Sequence, residues 1–291
     1  MKFNSISNSI KLIIAVAFLG LNSACQPEDA GDGNGLNPSN LDGSFTVTNV
    51  STNRFTLTGN NKNNILSKWD LDDGAGFFNG TDLQNIFLPD AGTYIVKHKV
   101  YGQGGVEGTV ATQTINVAAS DPNSGNLVVG GKFETAADIS NWTVLNISAS
   151  GTNWTFANGK ATVTGGGWNQ QAFYQAINVV AGKTYSIDMV CSSTTGVSNT
   201  WFEVYASSTM PVQNNDYSAG GKKRNINTWA GCGGTPFSGK ISNIGCSDSG
   251  TVQNDGVFTA TTTGVIYLVI KCGGENLQGG ISVDNVEFRG V

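Results

Sequence analysis

Apolar and polar residues alternate with a period of two through most of the chain, in short runs broken by Gly, Asn, Ser and Asp. Phe45-Thr46-Val47 and Phe55-Thr56-Leu57 each put two apolar side chains on one face and a polar one on the other, as half-buried strands do. Residues 67–74 read as a strand running into an acidic turn. Residues 91–100 read as a strand setting Tyr94, Val96, His98 and Val100 against Ile95, Lys97 and Lys99, and 112–117 as another. The alternation returns at 161–164, 171–179, 185–191, 201–205, 265–271 and 281–288. Between the two groups, Ser120-Asp121-Pro122-Asn123-Ser124-Gly125 has the composition of a linker. No segment holds the 3.6-residue period of an amphipathic helix. The pattern predicts an all-β chain with one domain over 44–119, a linker over 120–125 and a second domain over 126–291. The many strands and long Gly/Asn/Ser loops of the second suit a two-sheet jelly roll.

The start of the chain departs from this pattern. Lys2 and Lys11 flank a polar stretch, and residues 12–21 are an apolar run of ten. A bilayer span needs about 20 apolar residues, so the run fits the central part of a secretory signal. The sequence Leu21-Asn22-Ser23-Ala24-Cys25 that follows resembles a lipobox, with Asn22 where that motif usually has Leu. The resemblance implies a signal peptide over 1–24 and a lipid anchor on Cys25. Residues 26–40 carry Glu28, Asp29 and Asp32 among Gly, Asn, Pro and Ser and hold too little apolar surface for a core, so 25–43 reads as a flexible acidic tether. Acidic residues just after the lipidated cysteine resemble the surface-export signals of glycan-foraging Gram-negative bacteria. That implies an outer-membrane lipoprotein facing the cell exterior, touching the membrane only through its lipid.

Charge and cysteine count narrow the chemistry. The net charge is -5 and there is no extended basic run, which argues against nucleic acid as a partner; Lys222-Lys223-Arg224 reads as a solvated loop. With Cys25 lipidated, Cys191, Cys232, Cys246 and Cys272 form an even set in an exported chain, so two disulfides are expected. Four cysteines allow three pairings. Cys232 with Cys246, closing a Gly-rich excursion, and Cys191 with Cys272, at strand ends, are favoured. A zinc site is disfavoured, because no CxxC pair exists and the sole histidine, His98, lies in the other domain. His98 shares a strand face with Tyr94 and Val96 and is expected to pack at an edge.

Two families enter at this point. Trp69-Asp70-Leu71-Asp72-Asp73-Gly74, followed by the Gly-x-Tyr-x-Val strand that starts at Gly92, resembles the signature of PKD domains, which are immunoglobulin-like β-sandwiches that act as spacers. Asp72 stands where that family has Gly. In the second domain, Asn126-Leu127-Val128-Val129-Gly130-Gly131-Lys132-Phe133-Glu134 followed by Trp142 is similar to the opening of jelly-roll carbohydrate-binding modules of families 4, 16 and 22. Ala181-Gly182-Lys183-Thr184-Tyr185 and Gly280-Ile281-Ser282-Val283-Asp284-Asn285-Val286 are similar to their middle and closing segments. The resemblance implies an immunoglobulin-like sandwich followed by a jelly roll. It also implies a structural Ca²⁺ held by Glu134 and Asp284, to which backbone carbonyls would add oxygens.

Sugar recognition needs flat aromatic faces to stack on pyranose C–H groups, and amides to bond the hydroxyls. Trp168, between three glycines and a run of amides, is the first candidate, with Gln171, Tyr174 and Gln175 after it. Trp201 and Tyr205 share one face of a strand whose other face, Phe202 and Val204, is the drier, which assigns the indole and phenol to the outer surface. Trp229, in a loop closed by the expected Cys232–Cys246 bond, is the third tryptophan candidate. Trp142, Trp154 and Phe156 are assigned to the core. Catalysis is not expected and neither is a catalytic cofactor: the second domain has no His, and Ser282 breaks the Glu-x-Asp-x-x-Glu pattern that Asp284 and Glu287 would complete. The expectation is a non-catalytic surface lipoprotein that captures polysaccharide for a neighbouring transporter and glycoside hydrolases. The resemblance favours a β-glucan, laminarin-like β-1,3-glucan first. The alternative is a structural or adhesive surface protein, and what separates the two is whether Trp168, Trp201 and Trp229 lie exposed along one groove.

Overall fold

The computed structural model describes residues 41–248 and 254–291. The chain is all-β. Cys25, the signal segment and the tether up to residue 40 lie outside the described residues. Among those described, no helix is long and apolar enough to cross a membrane.

The first group of strands is β1 (Phe45–Ser51), β2 (Arg54–Gly59), β3 (Leu66–Asp70), β4 (Phe78–Gly80), β5 (Leu83–Phe87), β6 (Gly92–Tyr101) and β7 (Ala111–Val117). They pair as two antiparallel sheets, β1-β2-β5 and β4-β3-β6-β7, enclosing Phe45, Phe55, Leu57, Trp69, Val96 and Ile115. Trp69 is fully buried, and its indole N–H donates to the Thr81 carbonyl at 2.9 Å. Asp72 takes a left-handed backbone (φ 64°), a conformation Asp tolerates better than most residues. Its N–H donates to Asp70 Oδ1 and its Oδ2 accepts from Ile95 N–H, both at 3.0 Å.

His98 is not at an edge. It is fully buried, stacked on Trp69 with ring centroids 3.7 Å apart. Nδ1 bonds the Gly43 carbonyl at 2.8 Å, whereas Nε2 is buried without a partner. The imidazole is therefore neutral, with its proton on Nδ1. Through this bond, the Gly43 N–H bond to Thr109 and the bridge between Asp42 and Thr109, residues 41–43 of the expected tether are built into the sandwich.

The second group is β8 (Thr143–Asn146), β9 (Thr152–Ala157), β10 (Lys160–Val179), β11 (Thr184–Ser193), β12 (Ser198–Ser207), β13 (Lys222–Asn227), β14 (Phe237–Lys240), β15 (Val257–Thr259), β16 (Gly264–Asn276) and β17 (Ile281–Gly290). The two strands expected at 161–164 and 171–179 are one strand, β10, which changes layers partway. Its first part pairs with β9 and β17, its second with β16 and β8. One layer is thus β9-β10-β17-β11, with β14 and β15 on β11, and the other is β13-β12-β16-β10-β8. Phe173, Phe202, Leu268 and Ile270 from one layer meet Ile187, Met189, Val283 and Phe288 from the other, all at most 1% exposed.

The disulfide expectation is half corrected. Cys232 and Cys246 are bonded, with Cα atoms 6.0 Å apart. Cys191 on β11 and Cys272 on β16 are free thiols, fully buried in the shared core. Their strand parity points both inward, where they pack as small apolar side chains, and burial pushes both thiols up.

Residues 120–125 are a hydrogen-bonded joint. Asp121 Oδ1 accepts from the N–H groups of Asn123 and Ser124 at 2.9 Å, and Asp121 N–H donates to the Pro89 carbonyl at 2.6 Å. Arg289 at the end of β17 grips Asp90 through two bonds, 2.9 and 2.5 Å, the paired geometry in which Arg binds carboxylates best.

His98 is the chain's single histidine, so its titration is readable in isolation. Burial in the Trp69–Phe45 box holds its pKa below the ordinary value of 6.5. The unfolded chain therefore takes up the proton first as pH falls below 6.5, and that part of the stability is lost towards acid. The histidine Cε1–H signal in NMR should titrate below 6.5 in the folded protein, and a midpoint at or above the ordinary value would contradict the buried neutral imidazole.

Candidate functional site

The site begins where β10 leaves one layer for the other. Gly165, Gly166 and Gly167 have φ of 114°, 151° and 67°, and Trp168 has φ 64°. A Cβ on Gly165 would sit 2.0 Å from the Gly151 carbonyl oxygen, and one on Gly166 2.1 Å from that of Glu275, so no side chain fits at either position. Gly166 pairs with Asn276 and Asn169 with Gly274, leaving Gly167 and Trp168 opposite Glu275 alone. This is a β-bulge, a device that re-aims a side chain at a sheet corner. It throws the Trp168 indole outward, 57% exposed, at a backbone cost of about 1–2 kcal/mol for a non-glycine residue in this conformation.

Two further tryptophans converge on it. Phe202 and Val204 point into the core as expected, so Trp201 stands on the outer face, half-buried over Gly273. Trp229 lies in a single helical turn after β13, capped by Asn227, whose side-chain oxygen accepts the Trp229 N–H at 2.9 Å. The turn is closed by the Cys232 N–H bond to the Asn227 carbonyl, 3.2 Å, and by the Cys232–Cys246 disulfide. Trp229 is 55% exposed and central to the cluster. Its ring centroid is 6.2 Å from Trp168 and 6.3 Å from Trp201, with planes inclined by only 24° and 28°. Residues 168, 201 and 229, far apart in sequence, thus make one indole shelf.

Cross-strand register sets the polar neighbours. Gln170, Gly273, Trp201 and Asn227 stand side by side on β10, β16, β12 and β13. Gln171 and Gln175 are corrections: both are buried on the inner side of β10, with Phe173 between them. Gln171 accepts the Trp154 N–H at 2.6 Å and donates to Asn146, and Gln175 exchanges two 2.8 Å bonds with the backbone of Val129. The parity of Phe173, an obvious core residue, was the signal that assigns Gln170 to the outer face. Tyr205 is a correction too. It faces outward but is 3% exposed, beneath Tyr217 at 5.9 Å, and its hydroxyl donates to Glu203 at 2.7 Å. Tyr174 is half-buried in the same secondary cluster, edge-on to Tyr267.

That cluster lies under a strap between β12 and β13. Asp216 of the strap bonds Lys271 at 2.9 Å, and Lys271 in turn meets Glu203 at 3.0 Å. Glu203 also meets Lys222 at 3.3 Å, and Lys222 is paired with Asp248, which holds Asn225 and Asn227 at 2.9 Å. Burial, then the Glu203 carboxylate, pushes the Tyr205 phenol up beyond any physiological ionisation. The outer face is therefore closed over Tyr205 and open beside the indoles.

Glu134 and Asp284 lie close enough for the charge of Glu134 to act on Asp284. Burial first, then that charge, raises the Asp284 pKa. The carboxylate of Glu134 is folded over Gly159, where a Cβ would come within 3.1 Å of its Oε1. Among the described residues, no group of three or more His, Cys, Asp and Glu gathers as a metal site.

No family model and no curated protein matches the sequence. Among solved structures, the chain is similar to a carbohydrate-binding module of the β-sandwich superfamily described for its promiscuous specificity, at 16% identity and a TM-score of 0.29 over 86% of this chain and 99% of that one. It is similar to a CBM4 structure at 16% identity and a TM-score of 0.31, over 56% of this chain and 99% of that one. A third is TmCBM61 in complex with β-1,4-galactotriose, at 15% identity and a TM-score of 0.29, over 57% and 99% of the two chains. Likenesses this distant do not bear on ligand or mechanism.

Gly273 is the floor of the shelf. A Cβ there would lie 2.6 Å from Gln170 Cβ and 2.7 Å from both the Asn169 carbonyl oxygen and Trp201 Cζ2. Gly273→Ala should destabilise the protein by about 1–3 kcal/mol in urea unfolding and shift its tryptophan emission as Trp201 is displaced. Gly234→Ala, with nothing within 4 Å of its Cβ position, is the neutral control. Equal stability of the two variants would contradict the packing of Trp201 on Gly273.

Proposed function

We propose that this chain is a non-catalytic polysaccharide-binding protein whose second domain holds sugar on the indole shelf. The observation that carries the reading is the convergence of Trp168, Trp201 and Trp229, two of them more than half exposed, beside the Gln170 and Asn227 amides. Exposed indoles lose apolar surface to water unless something covers them, and the flat hydrophobic face of a pyranose matches them. Strain at Trp168 supports the same reading, since a left-handed non-glycine residue at an exposed position adds nothing to the core. No bond is broken in this mechanism: stacking supplies the contact area and the amides fix orientation. The ligand we favour is a β-glucan, laminarin-like β-1,3-glucan first. The first domain, with its PKD-like Trp69 to Gly74 turn, serves as the spacer, and a lipid on Cys25 anchors the chain at the outer membrane, where it would serve a transporter and glycoside hydrolases. Many weakly binding copies on one surface would hold a polymer by avidity.

A Ca²⁺ ion between Glu134 and Asp284 belongs to the same proposal. Glu134 lines a cleft of about 390 Å³ at the joint between the domains, and two neighbouring carboxylates, one half-buried, suit a hard cation whose remaining ligands are backbone carbonyls and water. The ion would tie the opening segment of the jelly roll to its closing strand.

Two measurements test these statements. In native gels cast with laminarin, mixed-linkage β-glucan, xylan, alginate and starch, the full chain should be retarded by a glucan, and Trp229→Ala should weaken binding about ten-fold or more, as loss of a central aromatic anchor does. Retardation that persists unchanged in the Trp168→Ala, Trp201→Ala and Trp229→Ala variants would remove the shelf as the site; no retardation by any glycan would favour the protein-contact alternative. For the cation, the raised Asp284 pKa means that its charge costs stability once pH rises from 3.8 through the folded value. In chelator at pH 7, Asp284→Asn should melt at or above the wild-type temperature, whereas added Ca²⁺ should raise the wild type only. A Ca²⁺-insensitive wild type would eliminate the site.

A further inference from the structure

The bulge that expels Trp168 sets it directly across from Glu275 on β16, and on the other side of Glu275 stands Asn199 of β12. The next row outward-facing along the same strands is Gln170, Gly273 and Trp201. Residues two apart on a strand share a face, so the Glu275 carboxylate stands on the face of the indoles, one step from the Gly273 floor. It is exposed, and the Asn199 amide donates to its Oε2. No Lys or Arg of the described residues pairs with it. The cations on the outward rows of β13 and β16, Lys222 and Lys271, are both committed: Lys222 to Glu203 and Asp248, Lys271 to Glu203 and Asp216. Among the described residues, the outward rows of these strands therefore offer a ligand one oriented carboxylate and no unpaired ammonium or guanidinium group.

We propose, resting on the glycan reading above, that Glu275 is a specificity-determining residue of the indole shelf. It accepts hydrogen bonds from the hydroxyls of a stacked sugar through the oxygen that Asn199 leaves open, and it restricts the ligand to glycans without carboxylate or sulfate groups. A carboxylate acceptor bonds hydroxyls more strongly than an amide does. The same charge repels an anionic sugar, and no cation at the shelf offsets the repulsion. The Asn199 bond fixes the carboxylate against the strand, so the selectivity belongs to the site rather than to the net charge of the chain.

The test uses two polymers with one backbone, laminarin and carboxymethylated laminarin, with the full chain, Glu275→Gln and Glu275→Ala. Glu275 is exposed and outside the core, and melting curves check that each variant is folded. At low ionic strength the wild type should bind laminarin about ten-fold or more tighter than its carboxymethylated form, the gap narrowing with salt as screening grows. Glu275→Gln should close most of that gap while holding laminarin within a few-fold, and Glu275→Ala should lose affinity for laminarin itself. Equal binding of the two polymers by the wild type, or a gap unchanged in Glu275→Gln, would overturn the assignment while leaving the glycan reading intact. Binding of neither polymer by any form would overturn the laminarin reading and this assignment with it.

Discussion

Two backbone contacts at one corner organise the second domain. Gly165 lies against the carbonyl of Gly151 and Gly166 against that of Glu275, so closely that a methyl group at either place would overlap an oxygen. The contacts let one strand serve both layers. The half of β10 before the corner pairs with β9 and β17, and the half after it pairs with β16 and β8. A strand that passes from one sheet to the other fixes their spacing and their relative angle, and with them the core that Phe173, Phe202 and Leu268 share with Ile187 and Phe288. The same corner expels Trp168. The placement of the indole shelf is thus a consequence of how the two layers are joined.

The rest of the shelf depends on constraints of a different kind. Trp201 needs the absent side chain of Gly273 beneath it, and Trp229 needs the Asn227 cap and the disulfide that closes its turn. Behind them the buried Lys271 and Glu203 bind the strap through Asp216 and the β13 edge through Lys222 and Asp248. A buried ionic network of this sort adds little net stability compared with apolar packing, but breaking one member strands the others. Its effect here is geometric. It closes the sheet face over Tyr205 and leaves the end beside the indoles open.

The joint between the domains follows the same economy of polar contacts. Asp121 turns the connecting segment on itself, and Arg289 reaches back from the last strand to Asp90. The Asp73-Gly74 turn of the first domain sits against Asn285 of the closing strand, whose amide nitrogen lies 2.9 Å from the Cβ position of Gly74. A segment whose Pro, Gly and Ser content suggests freedom is held because the N–H groups of Asp121, Asn123, Ser124 and Gly125 each find an acceptor close by.

Local alternation was enough to determine that the chain is all-β, where most strands lie, and which face of a regular strand is dry: Phe202 and Val204 are where period two assigns them. The identity of the three tryptophans was legible for the same reason, since an indole among Gly, Asn and Thr has no apolar run to join. Parity failed where the chain is irregular or covered. Gln171 and Gln175 follow Trp168 closely in the sequence, but beyond the bulge at residues 167–168 they share the inner face of β10 with Phe173. Tyr205 does lie on the outer face, but the strap between β12 and β13 folds back and buries it. His98 reads as an edge residue until Trp69 and Phe45 from other strands enclose it, and Cys191 and Cys272 face each other's layer without bonding. Sequence alone decided what each strand carries, because that depends on neighbours two residues away. Which strands meet, what roofs them and which side chains come together at the corner were decided by tertiary structure, because those contacts join residues on different strands and loops, from Tyr205 with Tyr217 to Gly166 with Glu275.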